Sequence, residues 1–189
     1  MRTAFDIARR RRHLFAAVAA IDTLLECGLV DLATLTAYIR SHPRWRGVGQ
    51  ARRAVRLATD GVRSPPETWL RLTWTVTAAL SPLLVNPPIF SHDGELLGIA
   101  DCLDPEAATV IEYDGEDHLL PDQAASDRRR DRLFEDHGLI VVRVTRDDMG
   151  PTGGDALISR LASARLRGLA RDRSFDRWTL TIPTGWIGF

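Results

Sequence analysis

Residues 139–145, LIVVRVT, constrain the fold more than any other stretch. A run this apolar, broken by one arginine, has no polar face to turn to water and reads as a strand buried on both sides. It follows Gly138, which closes a long charged helix expected over about Gln123–His137, and it precedes another helix expected over Gly154–Leu169. A buried strand between two helices demands a sheet with helices packed on it.

Upstream, the pattern supplies the rest of that sheet. VNPPIF (85–90) is extended by its prolines, HDG (92–94) signals a tight turn, and ELLGIADCL (95–103) reads as one strand. DPEA (104–107) is a turn, and ATVIEYD (108–114), rich in β-branched residues, is a second strand. SPPETWLRL (64–72) opens a helix, with Ser64 as N-cap, Pro65 in the first turn and Glu67 completing a capping box. That helix is expected to reach about Leu80 and stop before Pro82, with Trp69, Leu72 or Thr73, and Val76 facing inward. The tail, FDRWTLTIPTGWIGF (175–189), holds an expected edge strand.

Ahead of residue 64 the chain reads as helical, over about His13–Cys27, Asp31–His42 and Gly49–Thr59. The third carries Arg52, Arg53 and Arg56. Three short helices with arginines on one of them suit a DNA-binding module, or a helical collar on the main domain. The expected organisation is a helical segment over 1–63, an α/β domain over 64–170 and a C-terminal tail over 171–189.

The formal net charge of zero hides an asymmetry. Residues 1–63 hold 12 Arg against 5 acids (+7), and residues 64–189 hold 13 Arg against 20 acids (−7). Such halves suit a protein that grips phosphates with one part and divalent cations with the other, or halves that attract each other. Lysine is absent, so every basic side chain is arginine. The run Arg9–Arg12 before LFAAVAAI resembles a signal peptide, yet Asp6 and the helical recurrence of Leu14, Val18, Ile21 and Leu25 argue for a folded helix. No apolar run approaches membrane-spanning length. Cys27 and Cys102 make no framework or metal spacing, so a reducing cytoplasm is the expected compartment.

The chemistry gathers in VIEYDGEDH (110–118). Asp101 and Glu112 fall on expected neighbouring strands, each beside apolar residues. A carboxylate there must be solvated, paired or coordinated. Two converging carboxylates suit Mg²⁺ or Mn²⁺, which take one or two carboxylates, a backbone carbonyl (that of Tyr113 is at hand) and waters. Such an ion polarises a phosphodiester and activates water. His118 offers proton transfer or is a plain turn residue. Asp127 and Arg130 lie three apart on the next helix, as an ion pair would, and the Arg130 fork also suits a phosphate.

In this order SPPET, IAD, VIEYDGEDH, D-x-x-R and HGLIVVRVT resemble a bacterial domain family related to the very-short-patch-repair endonucleases, in the PD-(D/E)XK, or restriction-endonuclease-like, superfamily. The resemblance covers about Ser64–Leu169. The preceding helices resemble the segment that in relatives follows an abortive-infection antitoxin-type winged helix. It implies a mixed central sheet flanked by helices. It also implies Asp101 and Glu112 as metal-binding acids with the Tyr113 carbonyl nearby, His118 in proton transfer, and Asp127 and Arg130 orienting His118 or the phosphate. Glu67 stands at the family's helical acid, a role its capping box explains as well. Two departures stand out: Asp114 occupies the position of the superfamily lysine, and Ala100 that of the proline before the first acid. Glu116 and Asp117 add acids beside His118.

Two functions are therefore expected. One is a Mg²⁺-dependent DNA endonuclease serving phage defence, genome conflict or mismatch nicking, with an RNA-directed toxin as a weaker variant. The other is a non-catalytic protein on the same scaffold, a DNA-binding regulator or antitoxin, or a module for a protein partner or a second copy of itself.

Overall fold

The computed structural model describes residues 1–115, 121–150 and 153–188, without the side chains of 121–127. The chain forms two compact units, Met1–Leu72 and Thr73–Phe189.

The first unit is all helical: α1 (Arg2–Arg10), α2 (Leu14–Glu26), α3 (Leu32–Ser41), α4 (Val48–Leu57) and α5 (Pro65–Leu72). Helix α1 was not anticipated, because its arginines mask a short apolar face of Ala4, Phe5 and Ala8 that the core buries. That core also holds Val18, Ile21, Leu35, Ile39, Val55 and Leu72. Asp31 caps α3 by accepting from the Thr34 amide at 2.7 Å. Asp22, 1% exposed, accepts from the Thr59 amide (3.0 Å), Thr68 Oγ1 (2.8 Å) and the Arg71 guanidinium (3.0 Å). The sequence reading put the helix after Ser64 with the second domain; its Leu72 is instead part of the first unit's core, so the boundary falls at Leu72/Thr73.

That helix also ends earlier than expected. The β-branched run Thr73, Thr75, Val76 and Thr77 resists regular helix, and Thr73–Thr77 form a π-helical turn. Trp74 is fully buried there, its indole donating to the Ser81 carbonyl at 2.8 Å. Val76, expected inward, is exposed.

The second unit holds two sheets. A mixed four-stranded sheet has the order β1 (Leu84–Val85), β4 (Cys102–Asp104), β5 (Thr109–Asp114), β6 (Ile140–Thr145). A three-stranded sheet has the order β3 (Leu96–Ile99), β2 (Pro88–Ser91), β7 (Trp178–Thr179). The expected strand over 95–103 is thus two strands. The chain leaves one sheet and enters the other at Ala100–Asp101, and its neighbour does the same at Asn86–Pro87. Proline cannot donate to a ladder and Asn86 has φ 48°, so the ribbon breaks there. Two backbone bonds bridge the break, Ala100 N to Pro87 O and Asn86 N to Asp101 O.

The turn between β4 and β5 is built by Asp104, fully buried, whose carboxylate accepts from the amides of Glu106 and Ala107 and from Ser81 Oγ and Arg165 Nε. Strands β5 and β6 are parallel, joined through α6 (Pro121–Asp136), and α7 (Gly154–Ala170) packs on both. LIVVRVT forms the parallel edge strand beside β5 and not the strand buried on both sides that its apolar run suggests: only Val142 and Val144 of β6 are buried, and Thr145 is exposed. Helix α6 lies over β3 and β6, with Phe134 fully buried among Ile89, Leu97, Leu103 and Val110.

Candidate active site

The register of β4 and β5 pairs Cys102 with Ile111. One step further along the same ladder sets Asp101 opposite Glu112. The break in the strand therefore matters: it leaves Asp101 at the start of β4, where its carboxylate turns across the ladder and accepts the Tyr113 amide at 2.7 Å. The expected proximity of Asp101, Glu112 and Tyr113 is present, although it is the Tyr113 amide that contacts Asp101.

Glu112 is 3% exposed. Its Oε2 accepts from the Arg130 guanidinium at 2.8 Å, and its Oε1 is buried with no hydrogen-bond partner among the described residues. Burial, and then the charge of Asp101, push its pKa from the ordinary 4.5 up to about 8, and Arg130 offsets them only in part. An ion pair at 2.8 Å favours the carboxylate, but burial and a neighbouring acid are the stronger influence, so Glu112 is drawn toward its protonated form at neutral pH.

Arg130 reaches Glu112 because β3 carries a glycine beneath it. A Cβ on Gly98 would stand 2.9 Å from Phe134 Cζ and 3.0 Å from Arg130 Cδ. The isolated glycine in a strand pattern was the available sign of this close approach. Further out, Arg143 of β6, in register with Glu112, donates to Asp131 at 2.6 Å and to Asp114 at 3.3 Å. Its pKa is raised, chiefly by the Asp131 hydrogen bond. The position of the missing lysine is thus an aspartate held by an arginine from the next strand. Asp131 and Arg143 were missed; a lone arginine within LIVVRVT was their only sign.

A cleft of about 310 Å³ opens beside these groups, lined by Asp114, Gly115, Thr145, Arg146 and Asp147. It lies at the carboxyl ends of the parallel strands β5 and β6, where open α/β sheets place ligands. A larger cleft of about 770 Å³, lined by His92, Arg173, Asp176 and Trp178 among others, lacks the paired carboxylates.

Of the remaining anticipated residues, His118 lies outside the described residues, as do Glu116, Asp117 and the side chain of Asp127. Glu67 accepts from Ser64 Oγ at 2.8 Å and from the Arg63 amide at 2.9 Å, and its own amide meets Ser64 Oγ at 3.5 Å. This is a capping arrangement that uses both carboxylate oxygens. Arg52, Arg53 and Arg56 lie on α4 in the first unit.

The donor set fits a hard divalent cation in one specific respect: a buried carboxylate with one oxygen unpartnered among the described residues is paired across the ladder with a second acid. Among the described residues no three His, Cys, Asp or Glu side chains gather as a metal site, so any such cation would rest on these two acids, carbonyls and water. No helix is long and apolar enough to cross a membrane. No family model matches the chain, and neither a curated protein nor a solved structure matches it.

Proposed function

We propose that the second unit is a metal-dependent endonuclease acting on the DNA backbone, with Asp101 and Glu112 as the cation-binding acids. The observation that carries this reading is Glu112, which is buried and paired in the ladder with Asp101 and whose Oε1 has no hydrogen-bond partner among the described residues. The sequence resemblance agrees with it. A bound Mg²⁺ or Mn²⁺ would polarise the scissile phosphodiester and lower the pKa of an attacking water.

The chain's own residues do the rest. The Tyr113 amide fixes Asp101 against rotation. Arg130 holds one oxygen of Glu112 and leaves the other free to coordinate. Asp131 and Asp114 together hold Arg143 beside the strand end. His118 takes the proton-transfer role that the resemblance assigns it, with Asp127 orienting it.

The test is nicking of supercoiled and mismatched DNA with Mg²⁺ by wild type, Asp101→Ala and Glu112→Ala. Cleavage by wild type and its loss in both variants is expected. Equal activity in all three, or none in any, refutes the catalytic reading.

A second reading, a non-catalytic DNA-binding regulator on the same scaffold, has its own observation. The Arg130–Glu112 pair closes half of the carboxylate, and Asp114 replaces a lysine. Salt-sensitive DNA binding without cleavage selects it, and a stable protein complex without DNA binding points to a partner instead.

A further inference from the structure

Helices α3 and α4 contain four arginines and no acidic residue: Arg40 on α3, and Arg52, Arg53 and Arg56 on α4. Three other arginines of the same unit are engaged, whereas Arg10–Arg12 are exposed. Arg2 and Arg9 bind Asp6 and stack on Trp45, and Arg71 is held by buried Asp22. The four on α3 and α4 have no hydrogen-bond or ion-pair partner among the described residues.

Three of them converge. Arg40, Arg52 and Arg56 rim a groove of about 220 Å³ whose floor is Thr36, Ile39 and Val55. Arg52 and Arg56 are four residues apart, so they stand one above the other on one face of α4, about one turn apart. Arg40 faces them from the last turn of α3. Like charges gathered at one groove repel one another, which costs stability unless an anion sits among them. The cap residue Asp31 sits at the opposite end of α3 from Arg40 and is occupied by the Thr34 amide. Guanidinium forks are matched to phosphate oxygens, and two forks at one-turn spacing with a third opposite suit successive phosphates of a strand.

We propose that the groove between α3 and α4 is a nucleic-acid phosphate-binding site in which Arg40, Arg52 and Arg56 clamp the phosphodiester backbone. The site reads no base, so it supplies affinity and not sequence preference. It extends the proposed DNA substrate of the second unit, and it rests on that reading only for its biological setting.

The experiment is fluorescence anisotropy with the full chain in EDTA, over a salt series, on labelled duplex DNA and on single-stranded RNA. The variants are the triple Arg40→Gln/Arg52→Gln/Arg56→Gln and a control triple, Arg10→Gln/Arg11→Gln/Arg12→Gln, which removes equal charge from exposed positions. Circular dichroism melts establish that both are folded. Each lost phosphate contact lowers the slope of log K against log salt by about 0.9, so the groove triple is expected to lose about 2–3 from that slope and at least about tenfold in affinity near 0.1 M salt. The control triple is expected to lose distinctly less. The DNA and RNA arms assign the backbone source.

Equal losses in the two triples, or unchanged binding in the groove triple, overturn the site. So does the absence of nucleic-acid binding by wild type, or displacement by polyglutamate as effective as by DNA, which would make the partner an acidic protein. A wild type that never nicks but binds DNA through the groove arginines refutes the cleavage reading and supports this one. A groove triple that binds and nicks like wild type does the reverse.

Discussion

Replacing Glu112 by glutamine keeps the shape of the side chain and an oxygen for Arg130, while removing a buried ionisation. In the cation-free protein the wild-type group is raised from 4.5 to about 8 by burial and by Asp101. The folded chain therefore keeps a proton that the unfolded chain loses above pH 4.5. Its stabilising contribution is complete below that value and declines as pH rises toward 8. Each pH unit well inside this window corresponds to about 1.4 kcal/mol, and the group is half-ionised at pH 8, so between pH 6 and pH 8 wild type should lose about 2 kcal/mol that Glu112→Gln does not lose. Every other titrating group is common to both proteins, and subtraction isolates Glu112. Urea unfolding of both in EDTA at pH 6 and pH 8 measures the difference, with the variant gaining on wild type as pH rises. A difference that stays constant, or that moves toward wild type, would show that Glu112 is ionised in the folded protein at neutral pH and would refute the electrostatic account of the site.

Three further outcomes follow from particular contacts. Asp22→Ala strands the buried Arg71 guanidinium and two further donors, the Thr59 amide and the Thr68 hydroxyl, and should cost about 3–5 kcal/mol by chemical unfolding. Glu67→Ala removes a helix cap and should cost about 1 kcal/mol in the same assay while leaving any nicking rate intact. Abolished nicking at unchanged stability would return Glu67 to the catalytic set. Gly98→Ala sets a methyl against Phe134 and Arg130, and should cost about 1–3 kcal/mol. It should also weaken the Arg130 hold on Glu112, seen as a loss of stability that continues to higher pH than in wild type.

Periodicity made the α/β class legible, together with the capped helix at Ser64, the Asp104 turn and the position, though not the full burial, of the strand over 140–145. It also brought Asp101 and Glu112 together, because two strands joined by a short turn leave one natural register. Other features had no local signature. The division of residues 95–103 into two sheets depends on prolines and a left-handed Asn86 in a different segment, Asn86–Pro88. Helix α1 was hidden because its arginines outweigh three small apolar contacts. The Arg143–Asp131 and Arg130–Glu112 pairs join residues 12 and 18 positions apart, which only the parallel crossover through α6 brings together.

Isothermal titration of Mn²⁺ into the full chain near neutral pH, for wild type, Asp101→Asn and Glu112→Gln, tests the central claim most directly. The two-carboxylate site predicts one binding event in wild type that both substitutions abolish, with circular dichroism unchanged. Absence of binding in wild type, or a binding event that survives both substitutions, would contradict it.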